Sequence, residues 1–279
     1  MALPQRICSP VSPAFACLLM ISLAACRPDG ESTTPSENTT ATPAPSPAGP
    51  RASEIDPYTD PARSDADRER DAGTHPEQII PLLALEPGDR VLDFLAGGGY
   101  WSQMLGSVVG PDGAVLVHNN AAFRQWVGPG LGERLAAIAD RPQLQRWDRE
   151  LDDLGLDPGS LAAILLVNTY HDFYFADAEH GWPAFDAGPV MDQLVAGLES
   201  GGRLVVVDHH AKAGTGSSAA QELHRIDRDF AVRDWEAHGL RLVDSSDVLE
   251  GFEDAREVSV FDPTIVGKTA RFVLVFEKP

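Results

Sequence analysis

Cysteine is nearly absent from this chain. Its 3 cysteines, Cys8, Cys17 and Cys26, all lie near the start. From Arg27 onward none remains, which excludes disulfide scaffolding, zinc–thiolate sites and thiol catalysis from the bulk of the protein. Positive charge is also sparse: 22 basic residues stand against 42 acidic ones, a net charge of -20. That field repels a phosphate backbone, so no nucleic-acid partner is expected. A membrane-spanning run is missing too. The apolar stretch from Val11 to Ala25 is interrupted by Ser12, Pro13 and Ser22. It measures about 15 residues, against the ~20 a spanning helix needs.

What is present at the start reads as an export signal. Met1–Ala25 has Arg6 ahead of the apolar stretch, the layout of a signal peptide. Leu23-Ala24-Ala25-Cys26 resembles the bacterial lipobox, which implies cleavage before Cys26 and lipidation of its sulfur. Acyl chains there would make the membrane a partner and place the protein in the cell envelope, facing the periplasm. A plain secretory signal with an incidental cysteine is the alternative. Arg27 is not the Asp that retains enteric lipoproteins in the inner membrane, so either membrane is permitted. Residues 26–53 are rich in Ser, Thr, Pro, Gly and Ala, too poor in bulky apolar side chains to fold, and read as a tether. Residues 54–279 are the length of one α/β domain.

Within that domain, apolar runs alternate with helical patterns. Val91–Phe94, Gly113–Val117, Leu144–Trp147, Leu161–Val167 and Arg203–Val207 read as buried strands. Leu240–Val243 and Arg271–Phe276 are expected to close the sheet. Helices are expected over Pro76–Leu85, from Tyr100, over Leu131–Ala139, around Val190, Leu194 and Leu198 up to Glu199–Gly202, and from about Ser218 to His238. Asp65–Asp71 reads as a solvated helix or arm. The fold class is therefore a Rossmann-like, doubly wound α/β sheet, mostly parallel.

The stretch Asp93-Phe94-Leu95-Ala96-Gly97-Gly98-Gly99-Tyr100 follows the first strand and opens a helix. It resembles motif I of the class I S-adenosylmethionine-dependent methyltransferases, acid-x-Gly-x-Gly-x-Gly. Asp93, Gly97 and Gly99 match, whereas Leu95 stands where the first glycine belongs. Its side chain would crowd the backbone's approach to the cofactor, and replacing it by glycine should cost about 1 kcal/mol through added backbone freedom. The resemblance implies that the last two strands form an antiparallel C-terminal edge, and that S-adenosylmethionine is the cofactor, held by Asp93, Ala96, Gly97, Gly98 and Gly99. It assigns the ribose to Asn119 and the adenine to Asp148, at the ends of the second and third strands. Each could equally cap a turn.

In open α/β sheets, ligands sit beyond the carboxyl ends of the strands. Asn168-Thr169-Tyr170-His171-Asp172 and Asp208-His209-His210 fall there. His171 is a candidate general base, with Asp172 or another acid fixing its tautomer and His209 second in line. A satisfied loop histidine is the plainer alternative. His171, His180, His209, His210 and His224 with Asp172 or Asp208 also invite a metal reading. Adjacent His209 and His210 face opposite ways on a strand, so at most one would ligate, and no metal set is assigned. Gly267-Lys268-Thr269 is not a P-loop, because no glycine-led loop precedes it.

Six scattered pieces carry a narrower resemblance: Ala96–Tyr100, Tyr170–Asp172, Asp208–His209, Leu223–Asp227, Phe261–Pro263 and Gly267–Thr269. Together they are similar to a group of exported bacterial proteins described as predicted methyltransferases, over roughly Ala62 to Pro279. That resemblance names no substrate; with nucleic acid disfavoured by the charge, a small-molecule acceptor is expected. Export conflicts with a cofactor made in the cytosol, so a methyltransferase fold retained to bind another small ligand is the competing reading. The oligomeric state is not legible.

Overall fold

The computed structural model describes residues 55–251 and 253–279. The segments expected to be a signal peptide, a lipidation site at Cys26 and a tether over 26–53 lie outside the described residues.

Seven strands form one sheet: β1 (Arg90–Phe94), β2 (Ala114–Asn119), β3 (Leu144–Asp148), β4 (Leu161–Val167), β5 (Leu198–His209), β6 (Arg241–Ser246) and β7 (Arg271–Glu277). Their order is β3-β2-β1-β4-β5-β7-β6. β1 pairs in parallel with both β2 and β4, so the chain's direction of winding reverses at β1. β7 runs antiparallel to β5 and β6. The expected Rossmann-like architecture is observed.

Period-two alternation splits the apolar residues of the strands between two faces. Leu92, Phe94, Ile164, Leu166, Leu204 and Val206 pack on one side. There they meet α6 (Ala187–Gly197) and α8 (Arg228–Ala237) through Met191, Leu194 and Trp235. Val91, Val115, Ala163, Leu165, Val205 and Val273 face the other way, onto Trp101, Met104 and Leu105 of α3 (Tyr100–Val109). Strands buried on both faces must be continuously apolar, as these are.

Four local expectations are corrected. The segment Asp65–Asp71 is a helix, α1 (Asp65–Thr74), but not a merely solvated one: Asp67 and Thr74 are buried. Pro76–Leu85 divides into α2 (Pro76–Ile79) and a 3-10 turn at Ile80–Leu83. The helix expected to run to Glu199–Gly202 stops at Gly197, and β5 starts at Leu198 with a register shift where Leu161 and Ala163 oppose it. The long helix expected from Ser218 to His238 is broken. A short α7 (Ala220–Leu223) ends at left-handed His224, and α8 begins only at Arg228. The intervening backbone docks on the end of β5 instead, with Ile226 N–H donating to His209 O at 3.0 Å and Ala211 N–H donating to Ile226 O at 2.9 Å. Arg225, fully buried, anchors this break by a two-point bond to Asp254 at 2.8 and 3.1 Å.

Candidate functional site

The turn after β1 is held by the end of β2. Leu95 N–H donates to His118 Nδ1 at 3.3 Å, and Ala96 N–H donates to His118 O at 2.8 Å. Because Nδ1 accepts, His118 carries its proton on Nε2, which donates to Arg149 O at 3.1 Å. Burial lowers the His118 pKa to about 4, so the ring stays neutral and the arrangement persists. Leu95 sits at φ 52°, in the left-handed region, with its side chain buried. That conformation costs a non-glycine residue about 1–2 kcal/mol. The expected backbone penalty of a glycine here is therefore reversed in sign: glycine would relax the turn. Gly99, at φ 77°, caps α3. A Cβ on it would be strained at this φ and would fall 2.9 Å from Leu131 Cδ1, which would have to move, so glycine is favoured.

Asn119 does not face outward toward a ribose. Its Oδ1 accepts from Gly97 N–H and its Nδ2 donates to Gly97 O, both at 3.0 Å, so one acceptor site and one N–H of the amide close the loop. Asp148 accepts from Arg146 Nε at 2.8 Å and lies 3.8 Å from Arg124. Neither lines the larger cavity. The reason is the layer formed by α4 (Ala121–Val127) and α5 (Gly130–Ala137), which rests on the glycine turn. Arg134 of α5 donates to Gly98 O at 2.7 Å and grips Asp67 of α1 at 2.7 and 2.9 Å. Sequence reasoning could not see this layer, because nothing in α5's periodicity says what it covers.

The larger cavity has a volume of about 720 Å³ and opens beyond the carboxyl ends of β1, β4 and β5, beside the point where the winding reverses. Asp93, Leu95, Ala96, Gly97 and Gly98 form one wall, and His171, Asp172, His209 and His224 form another. Aromatic rings, among them Trp101, Phe123 and Trp182, supply most of the rest. Three buried polar atoms on lining residues have no partner within the described protein: Trp101 Nε1, Asn168 Oδ1 and Thr169 Oγ1. Orphaned buried polar groups are costly, and these three belong to residues of the cavity wall. Asp93 is buried, and that raises its pKa to about 7 against the opposing hydrogen bond from Ser102.

Five of the six scattered sequence pieces contribute to this one place. Tyr100, His171, Asp172, His209, His224 and Phe261 line it. Thr269, from the sixth piece, shares a 2.7 Å hydrogen bond with His209 Nδ1 behind the wall. His171 is bracketed by two acids. Its Nδ1 lies 2.8 Å from Asp208 Oδ1 and its Nε2 lies 3.3 Å from Asp172 Oδ1. The backbone N–H of His171 also donates to Asp208, at 2.8 Å. Burial by itself would lower the pKa of His171, but the two carboxylates outweigh it and raise it to about 10. The favoured base is therefore an imidazolium with both ring nitrogens engaged, and it has no lone pair to offer. His209 is the opposite case. Burial first, then repulsion from His171, holds it neutral, with its pKa well below the ordinary value. His210 points the other way, to Glu250 at 3.1 Å, as strand alternation requires. The two partners missed as such, Asp208 and Thr269, were visible only as members of motifs, since their roles depend on contacts between distant strands.

No family model matches the chain, and no curated protein sequence matches it. The fold is that of the class I methyltransferases, and S-adenosylmethionine-dependent enzymes are among the solved structures similar to it. A methyltransferase of Aquifex aeolicus shares 16% identity over 72% of this chain and 89% of its own, with a TM-score of 0.50. The geranyl diphosphate C-methyltransferase of Streptomyces coelicolor, solved with Mg2+, geranyl diphosphate and S-adenosyl-L-homocysteine, shares 13% over 80% and 87%, with a TM-score of 0.53. A cyclase, SpnF, shares 14% over 79% and 86%, with a TM-score of 0.54. The structural overlap, not the identity, defines a common fold, and the cyclase among these structures shows that the fold hosts more than one reaction.

Proposed function

We propose that this protein is an S-adenosylmethionine-dependent methyltransferase of a small-molecule acceptor, exported and anchored in the cell envelope through lipid on Cys26. The observation that supports it most is the cavity at the carboxyl ends of β1 and β4, walled by Asp93 and the glycine turn. The cofactor, when bound, supplies an electrophilic methyl group. Asp93 titrates near neutrality in its buried position, so a cationic ligand beside it would draw it into its charged form. The aromatic walls suit a sulfonium cation for the same electrostatic reason that rings attract ammonium groups. His209 is neutral, lines the cavity and is steadied by Thr269, so it is the base assigned to take the proton of a hydroxyl or amine acceptor. Asp172 and His171 act together as a fixed charged wall that positions the acceptor, rather than as proton carriers.

Methyl transfer from tritiated S-adenosylmethionine to a panel of small hydroxyl and amine acceptors tests this assignment. His209→Ala should lower turnover about 100-fold while leaving cofactor affinity within twofold, and Asp93→Ala should weaken the affinity itself. Full turnover in His209→Ala would remove His209 from the mechanism.

A second reading is supported by specific contacts. Leu95 occupies a glycine position, and Asn119 and Asp148 are both engaged within the protein. Those features fit a methyltransferase fold that binds a different small ligand outside the cytosol. Binding of a cavity ligand with no affinity for S-adenosylmethionine would favour it.

A further inference from the structure

His171, Asp172 and His224 come together at one wall of the cavity, although they belong to different elements. His171 and Asp172 follow β4 in a 3-10 turn, while His224 comes from the break between α7 and α8. Asp172 Oδ1 lies 3.3 Å from His171 Nε2 and 3.8 Å from His224 Nδ1. One ligand atom from each of the three lies within 4.8 Å of the others. We propose that His171 Nε2, Asp172 and His224 Nδ1 bind a divalent transition-metal ion of the zinc or iron(II) class, with Asp208 orienting the His171 ring.

The donor set selects the ion. Two imidazole nitrogens and one carboxylate oxygen suit zinc, iron(II), cobalt or nickel, whereas magnesium and calcium prefer oxygen alone. A four-coordinate ion with bonds of about 2.0–2.1 Å holds its ligand atoms about 3.3 Å apart. The observed spacing therefore needs shifts of about 1 Å in the ligand atoms. Metal-bound histidines usually donate their second ring nitrogen to a carboxylate. His171 Nδ1 does so here, to fully buried Asp208. Charge points the same way: in the metal-free protein the Nε2 proton of His171 lies between the ring and Asp172, and a dication that displaces this proton to solvent gives Nε2 its lone pair and puts the larger positive charge between the two carboxylates. All three proposed ligands line the cavity, so the remaining coordination positions would open toward whatever occupies it. His209 stays outside the set, its ring centroid 6.0 Å from that of His171 and its Nδ1 tied to Thr269.

This inference does not depend on methyl transfer, and its test keeps the two apart. Untagged full-length protein, stripped with chelator, is titrated with cobalt(II) while the visible d–d absorption is followed. The expected result is one equivalent bound with micromolar affinity or tighter. Asp172→Asn and His224→Gln should each weaken binding at least 100-fold, and Asp208→Asn should weaken it about 10- to 100-fold without being a ligand. Circular dichroism on each variant separates lost metal from lost fold. No stoichiometric cobalt binding to the wild-type protein overturns the proposal, and so does unchanged binding in a folded His224→Gln. S-adenosylmethionine is titrated into the same preparations. Metal bound without cofactor leaves the site standing and removes the methyltransferase reading, and the converse result does the reverse.

Discussion

Leu95 offers a test in which two effects have opposite signs. Its side chain is buried, and removing such a leucine usually costs about 2–5 kcal/mol. Its backbone is left-handed at φ 52°, which costs about 1–2 kcal/mol for a residue with a Cβ. Leu95→Ala loses the side chain and keeps the strain. Leu95→Gly loses the side chain and releases it. In an ordinary extended or helical position glycine is less stable than alanine by about 0.5–1 kcal/mol. Here the order should invert, with Leu95→Gly more stable than Leu95→Ala by about 1 kcal/mol. Urea unfolding of the two variants, with equal m-values, measures the difference directly. If Leu95→Ala is the more stable of the pair, the turn is not strained at Leu95. The same two proteins address the ligand. Because both open the cavity wall, both should bind S-adenosylmethionine more tightly than the wild type, and to a similar degree.

Three further outcomes are expected. In metal-free protein, His171 should remain an imidazolium through pH 8, read by NMR of the ring nitrogens, and Asp208→Asn should lower its pKa. Because the folded pKa, about 10, lies above the ordinary histidine value, the stability from this charge is complete below about pH 6.5 and is lost as pH rises through 10. Arg225→Ala should destabilise the fold by about 3–5 kcal/mol in thermal or urea melts, because it leaves buried Asp254 without its partner. Cys26→Ala should release the protein from membranes or block its maturation, and unchanged fractionation with unchanged gel mobility would end the lipoprotein proposal.

The strands were legible because a parallel strand buried on both faces must be apolar throughout, as Leu161–Val167 is. That also made the strand-end residues legible as a site, and His171, Asp172 and His209 do meet there. What sequence could not show depends on contacts between distant segments. Asn119 turns inward because Gly97 presents both a donor and an acceptor to it. The helical pattern over Ser218–His238 contains no proline, and nothing local breaks it. Pairing of Ile226 with the end of β5 and burial of Arg225 break it instead, and the break delivers His224 to the cavity. His171 was read as a base because its position is right. Its protonation is set by Asp208, a residue 37 positions away.

Calorimetric titration of the purified full-length protein with S-adenosylmethionine, and separately with S-adenosylhomocysteine, tests the central claim most directly. The predicted result is one-site binding of both in the micromolar range, weakened by Asp93→Ala. Absence of binding by either compound to folded protein would contradict it and leave the cavity to another ligand.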